Sequence, residues 1–169
     1  MQLVKPSAEH KRAALDYRQE HFSNNEFVIQ GDNGLDEAET YEEWLKCLDI
    51  IEAGKHDYLL PSSTYFALLD DMIVGVVDIR HKLNDSLLKQ GGHIGYSVRP
   101  SQRRKGYATE IFRLALVKCG LLGIEKALVT CDKDNIGSQK TILNNGGVLE
   151  NELANENGKT TLRYWIEVK

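Results

Sequence analysis

The sequence predicts one α/β domain, α+β in arrangement, with a mixed and mostly antiparallel central sheet of about seven strands and helices on its flanks. Three patterns carry this expectation. Two stretches, 64–79 and 148–168, read as hairpins of β-forming residues; 94–131 reads as strand, helix, strand; and two helical stripes precede the first hairpin. At 169 residues and 41% hydrophobic content, the chain suits one substantial core and is too short for two comfortable domains. The domain is therefore expected to span residues 1–169.

Leu3-Val4-Lys5 forms an opening strand, and Ser7 caps a helix whose Ala13, Ala14 and Tyr17 give a modest apolar face up to Phe22. Gln30 to Gly34 is a loop. From Asp32 through Asp36, Glu37, Glu39, Glu42 and Glu43 there is no Lys or Arg. Such a run attracts a cationic acceptor such as an amine; the weightier reading is acids placed at a helix N-terminus on a solvated surface. Tyr41, Trp44, Leu45, Leu48 and Ile51 recur at helical spacing before Gly54, a core stripe. Thr64–Leu69 and Met72–Ile79, joined by Asp70-Asp71, form an antiparallel hairpin, and Arg80 to Gly92 is a polar connection read as a mobile loop.

Ile94 to Val98 is extended, and Pro100 bars helix at Arg99. Ala108, Ile111, Phe112, Ala115 and Cys119 then form the apolar stripe of a long helix closed by Gly120. The strand Ile124–Cys131 follows that helix and should run parallel to the strand before it. A helix after Asn135 stops at Gly146, and Val148-Leu149 pairs with Thr161–Val168 around the turn Asn155–Gly158.

Composition excludes several classes. A net charge of −4 with pI ≈ 5.7 argues against nucleic-acid binding, since the cations gather in one turn. No apolar run approaches the roughly 20 residues that cross a bilayer, and the N-terminus has no signal-peptide core, so a cytoplasmic protein without a membrane partner is expected. Cys47, Cys119 and Cys131 are odd in number and lie in apolar patterns, as buried thiols do; the five histidines show no ligand spacing, and no metal is expected.

The most informative stretch runs from Arg99 to Glu110. Arg99, Arg103, Arg104 and Lys105 stand without an acid among them, and Gly106 precedes Tyr107, Ala108 and Thr109 where the helix begins. The first amides of a helix lack intrahelical acceptors and sit at its positive end, so this turn reads as a phosphate cradle rather than a merely solvated basic turn. A Walker loop is excluded because Gly106 is followed by Tyr-Ala-Thr, and no dinucleotide G-x-G-x-x-G occurs.

At these residues the chain resembles the GNAT superfamily of N-acetyltransferases, whose coenzyme signature is Q/R-x-x-G-x-G/A between a strand and a helix. Arg103-Arg104-Lys105-Gly106-Tyr107-Ala108 fits it, Val98-Arg99-Pro100 approaches it, and Asn135 to Gly147 resembles the family's Asn-x-x-Ala/Ser helix. The clear match spans His93 to Gly147, with a weaker one over Tyr65 to Arg80. The resemblance implies a GNAT-like sheet whose parallel strand pair splays at the coenzyme site. It also implies acetyl-CoA as co-substrate, bound by Tyr96, Val98, Arg103, Arg104, Lys105, Gly106, Tyr107, Ala108, Thr109, Asn135 and Ser138. For Asn135 a helix cap is the competing role.

Two positions depart from the family pattern. Ile142 stands where many members carry the Tyr that protonates the leaving thiolate, and Gly147 replaces a common aromatic. Tyr164, Tyr96, Ser138 and Cys131 are the substitutes for that acid, the Tyr96 or Val98 amide serves the oxyanion, and His93 is the candidate base, with Asp78, Glu20 and the acidic run as rivals. The expected activity is acetyl transfer to a primary amine by direct attack in a ternary complex; the alternative is a non-catalytic acyl-CoA-binding regulatory domain. The expected partner is a small-molecule or peptide amine, with a homodimer as an option. The acceptor's identity is not written in the sequence.

Overall fold

The computed structural model describes residues 1–154 and 158–169. The strands fall into two sheets. One has the order β1 (Gln2–Val4), β2 (Ser62–Leu69), β3 (Met72–Arg80) and β4 (Ile94–Val98). In the other, β7 (Thr160–Glu167) lies between β5 (Lys126–Asp132) and β6 (Val148–Ala154). Every ladder among the described residues is antiparallel. The helices are α1 (Lys11–Ser23), α2 (Tyr41–Glu52), α3 (Asp85–Lys89), α4 (Tyr107–Leu121) and α5 (Ile136–Asn144). This is the α/β domain of seven strands that the sequence predicts, but the strands form two sheets in place of one mixed sheet: no parallel ladder joins β4 to β5 among the described residues, and the isolated bridge between the sheets, Gly92 to Val129, is antiparallel.

Alternation along the first hairpin feeds two cores. Phe66, Ile73 and Val76 pack with Ala14, Tyr17, Tyr41 and Trp44 beneath α1 and α2. Tyr65, Ala67, Val74, Val77 and Ile79 pack with Ile111, Phe112, Ala115 and Cys119 of α4. Strict alternation would put Val74 and Val76 on one face. A bulge resolves the conflict: the register passes from Gly75↔Ala67 to Ile73↔Leu68, so Val74 is the extra residue and turns to the α4 side.

The acidic run divides by place. Asp32 accepts from the amides of Gly34 (3.0 Å) and Asp36 (2.7 Å), and Asp36 accepts from Ile29 N at 2.8 Å, which ties the loop before α2. Thr40 caps α2 by accepting from Glu43 N at 3.2 Å, with Glu42 and Glu43 in the first turn at the positive end of the helix.

Two local expectations are also corrected. The long helix is not closed by Gly120, whose backbone stays helical; Gly123 at φ 76 reverses the chain, with Ile124 N donating to Cys119 O and Gly123 N to Gly120 O, both at 3.0 Å. Nor is the connection after β3 bare loop: Asn84 accepts from Leu87 N at 3.0 Å to cap α3, and Gly91 N donates to Thr130 Oγ1 at 2.8 Å on the way back. Of the turn expected at Asn155–Gly158, residues 155–157 lie outside the described residues.

Phe66 and Phe112 are fully buried on opposite faces, so each Phe→Ala change should lower stability by about 3–5 kcal/mol. Leu121→Ala, at a residue 77% exposed, should stay within about 0.5 kcal/mol. Urea unfolding midpoints of the three variants check this.

Candidate active site

The two sheets meet at one point. His93 N donates to Leu128 O at 2.7 Å, and Gly92 makes an isolated bridge to Val129. There the pairing stops, and the buried His93 ring accepts the Leu128 amide on Nδ1 at 3.0 Å in place of a main-chain carbonyl. From this junction residues 94–98 and 130–132 run on along opposite walls of a cleft of ≈ 870 Å³. The strand pair at the site is therefore splayed.

The free edge of β4 lines that cleft. Arg99 N donates to Val74 O (2.9 Å) and His93 O accepts from Arg80 N (2.8 Å), so the odd-numbered residues of β4 turn their peptide groups toward β3. Tyr96 and Val98 then turn theirs to the open side. Arg103 Nε reaches Val98 O at 3.1 Å, as this orientation requires.

At one end lies the basic turn. Arg104 at φ 60 and Gly106 at φ 82 bend the chain into α4, and Gly106 is its N-cap without any capping side chain. The first-turn amides of Tyr107, Ala108 and Thr109 have no intrahelical acceptor, and these residues line the cleft. A Cβ at Gly106 would meet nothing within 4 Å, so glycine is needed there for its left-handed φ.

The three cations of the signature separate. Arg103 lines the cleft but forks onto Glu26, with Nη1–Oε1 at 2.6 Å and Nη2–Oε2 at 2.5 Å. Lys105 donates to Gln102 Oε1 at 2.9 Å and lies outside the cleft wall. Arg104 lines the cleft with no side-chain partner among the described residues, and so is the signature cation free to meet an anion.

The cleft passes through the sheet. On one face Tyr96 packs edge-on to Phe112 (5.7 Å between ring centres), and its hydroxyl lies 3.2 Å from Ser138 Oγ on α5. Burial pushes the Tyr96 hydroxyl up and the neighbouring Cys131 thiol up to about 11, so both hold their protons at neutral pH. Asn135 caps α5 by accepting from Ser138 N at 3.0 Å, and both residues line the cleft. On the other face Tyr17 OH lies 2.9 Å from Ser97 Oγ, and Gly31 sits so close that a Cβ there would collide with the Gly95 carbonyl. Val28, Ile29 and Gln30 of that loop complete the wall, with His21 and Glu26.

Except for Lys105, every residue expected at the coenzyme site lines this cleft. The two expected catalytic side chains do not. His93 is locked at the strand junction, and burial holds its imidazole below the ordinary range. Tyr164 is buried in the core beneath α4, opposite Val129 on the sheet face that Cys131 shares, and does not itself line the cleft. Ile142 is fully buried, and a Cβ at Gly147 would collide with its side chain, so the two departures from the family pattern are one packing arrangement. Sequence reasoning missed His21 and Glu26, which belong to no motif and meet Arg103 only through the fold. Among the described residues no group of three or more His, Cys, Asp or Glu is placed to hold a metal ion.

A splayed strand pair with a helix start open to the cleft at one end is the arrangement that the resemblance to acetyltransferases implies. The chain belongs to the GNAT acetyltransferase domain family, whose model matches residues 2–148. It is similar in fold to the microcin C7 self-immunity acetyltransferase MccE in complex with acetyl-CoA and AMP (TM-score 0.69, 18% identity, covering 98% of this chain and 91% of that one). RimL, a ribosomal-protein α-N-acetyltransferase in complex with coenzyme A, gives TM-score 0.71 at 15% identity, with 98% and 93% covered. A mutant of the spermidine N-acetyltransferase SpeG from Vibrio cholerae gives 0.65 at 16%, with 99% and 95% covered. No curated protein sequence matches the chain.

Two outcomes follow from this geometry. Arg103 donates to Glu26 and holds its carboxyl down at about 2, against about 4.3 when unfolded. A depressed folded pKa adds stability above the unfolded value and loses it as pH falls toward the folded one. The stability gap between wild type and Glu26→Gln should therefore be full at pH 7 and shrink between roughly pH 4.3 and pH 2, measured by urea unfolding at each pH. Ile142→Tyr should overpack against Gly147 and cost about 1–3 kcal/mol without raising turnover, by the same unfolding assay and a thiol-release assay.

Proposed function

We propose that this chain is an acetyl-CoA-dependent N-acetyltransferase that passes the acetyl group directly to a primary amine in a ternary complex. One observation carries the reading: the cleft opens on both faces of β4, with an open helix start at one end and a main-chain edge that no other strand pairs along its length. The amides of Tyr107 to Thr109, with Arg104, would hold the pyrophosphate, and the open edge of β4 would pair with the pantetheine arm. The amide of Tyr96 or Val98 meets the developing oxyanion. Ser138 and Tyr96, whose hydroxyls touch, supply the proton for the leaving thiolate in place of the buried Ile142. The amine enters from the opposite face, beside α1 and the loop at 28–31.

The domain is taken to span residues 1–169, acting in the cytoplasm on a small-molecule or peptide amine. Among the described residues no helix is long and apolar enough to cross a membrane. Burial of Ile142 favours one other reading, a non-catalytic acyl-CoA-binding domain. The two part on one experiment: coenzyme A release from acetyl-CoA with a panel holding spermidine and a serine-terminated peptide, acceptor types that similar folds act on. Turnover supports the enzyme; acetyl-CoA binding without turnover of any amine supports the binding domain.

Three variants test the assignments. Gly106→Glu should abolish acetyl-CoA binding by calorimetry, through a strained φ and a carboxylate in the cradle. Arg104→Ala should only weaken it, more visibly at low salt. Ser138→Ala should lower kcat by about 10²-fold with little change in the acetyl-CoA dissociation constant.

A further inference from the structure

Two buried side-chain polar atoms among the described residues lack a hydrogen-bond partner, His21 Nε2 and Thr161 Oγ1, and both residues line this one cleft. Orphaned buried polar atoms are rare and call for an explanation such as a ligand. His21 is 1% exposed on the last turn of α1, its ring 4.7 Å from Tyr17, whose hydroxyl touches Ser97 of β4. His21 thus belongs to the amine side of the cleft, across the sheet from Tyr96 and Ser138.

Its protonation pattern is set by its neighbour. Nδ1 lies 2.8 Å from Glu26 Oε2, and Glu26, paired with Arg103, is ionised at any working pH. A carboxylate only accepts, so Nδ1 carries the hydrogen and the neutral ring leaves a lone pair on Nε2. The groups that act on the ring are Glu20 on its own helix, Glu26 on the following loop and Arg103 on the signature turn. Burial, the largest influence, lowers its pKa from the usual 6.5, so the ring is neutral near pH 7.

Resting on the acetyltransferase reading, we infer that His21, oriented by Glu26, is the base that takes the proton from the attacking amine. The step balances. An ammonium acceptor gives one proton to His21 Nε2; its freed lone pair forms the N–C bond to the acetyl carbon as the C–S bond breaks. The amide nitrogen sheds a second proton to solvent, and the sulfur gains one from the Ser138 and Tyr96 hydroxyl pair, which solvent reprotonates. His21 returns its proton to solvent. Glu26 is a positioning residue, and its fork to Arg103 links the base to the coenzyme turn.

The test is the pH dependence of kcat/KM for wild type, His21→Asn and Glu26→Gln, with whichever of spermidine or the serine-terminated peptide is turned over. The acceptor's own amine titration is divided out, and acetyl-CoA affinity and circular dichroism are measured alongside. Wild type should show an acidic limb below about pH 6.5. His21→Asn should lose at least about tenfold in rate and lose that limb while binding acetyl-CoA as before. Glu26→Gln should move the limb to lower pH, because the carboxylate that favours the charged ring is gone; a purely structural role would not shift it. If His21→Asn does not fold, the Glu26→Gln limb decides: a shift supports the inference and an unmoved limb overturns it. Wild-type turnover with unchanged profiles overturns the inference alone. Acetyl-CoA binding with no wild-type turnover overturns the acetyltransferase reading and the base with it.

Discussion

The site depends on a ladder that ends early. Two sheets are brought edge to edge at β4 and β5, and a continuous ladder there would have sealed the middle of the molecule. At the junction itself His93 puts a ring nitrogen where Leu128 N would otherwise find a carbonyl. Beyond that plug the main chain of β4 keeps hydrogen-bonding capacity that no other strand uses. A row of unpaired peptide groups in a half-buried setting is costly unless something pairs with it. The coenzyme arm proposed for the cleft is an extended chain of amides, which suits that edge.

A second constraint fixes the acceptor face. Glu26 and Arg103 lie 77 residues apart in sequence, yet the charged fork between them joins the end of α1 to the turn that starts α4. Arg99 and Glu20 make a parallel link at 2.5 Å, and Glu20 also accepts from Ser101 N at 2.7 Å. Three charge-assisted contacts therefore bind α1 and the loop after it to the signature turn. Residues that match a phosphate-binding motif are partly spent on holding the opposite wall in place.

Local features were legible in the sequence because their causes are local. Pro100 and Gly106 announce the turn, the three-and-four spacing from Ala108 announces α4, and Asn135 announces a cap. The two hairpins were equally plain, though not the bulge at Val74, which arises only when two helical layers claim opposite faces of one strand. Tertiary pairings were illegible. His93 resembles a base at a strand end until Leu128 is placed beside it, and His21 is unremarkable on a helix until Glu26 returns to it. Arg103, Arg104 and Lys105 look equivalent in a row, and only the fold gives them three different employments.

The contact between Ile142 and Gly147 couples the two positions. Because the isoleucine fills the space that any side chain at 147 would enter, neither position can drift toward the commoner family pattern alone. A bulky residue at 147 requires a smaller or redirected one at 142, and a ring at 142 requires the helix end to yield. Residues in such contact have non-additive effects. The pair is thus epistatic: exchanging either residue alone costs stability that exchanging both together would in part restore.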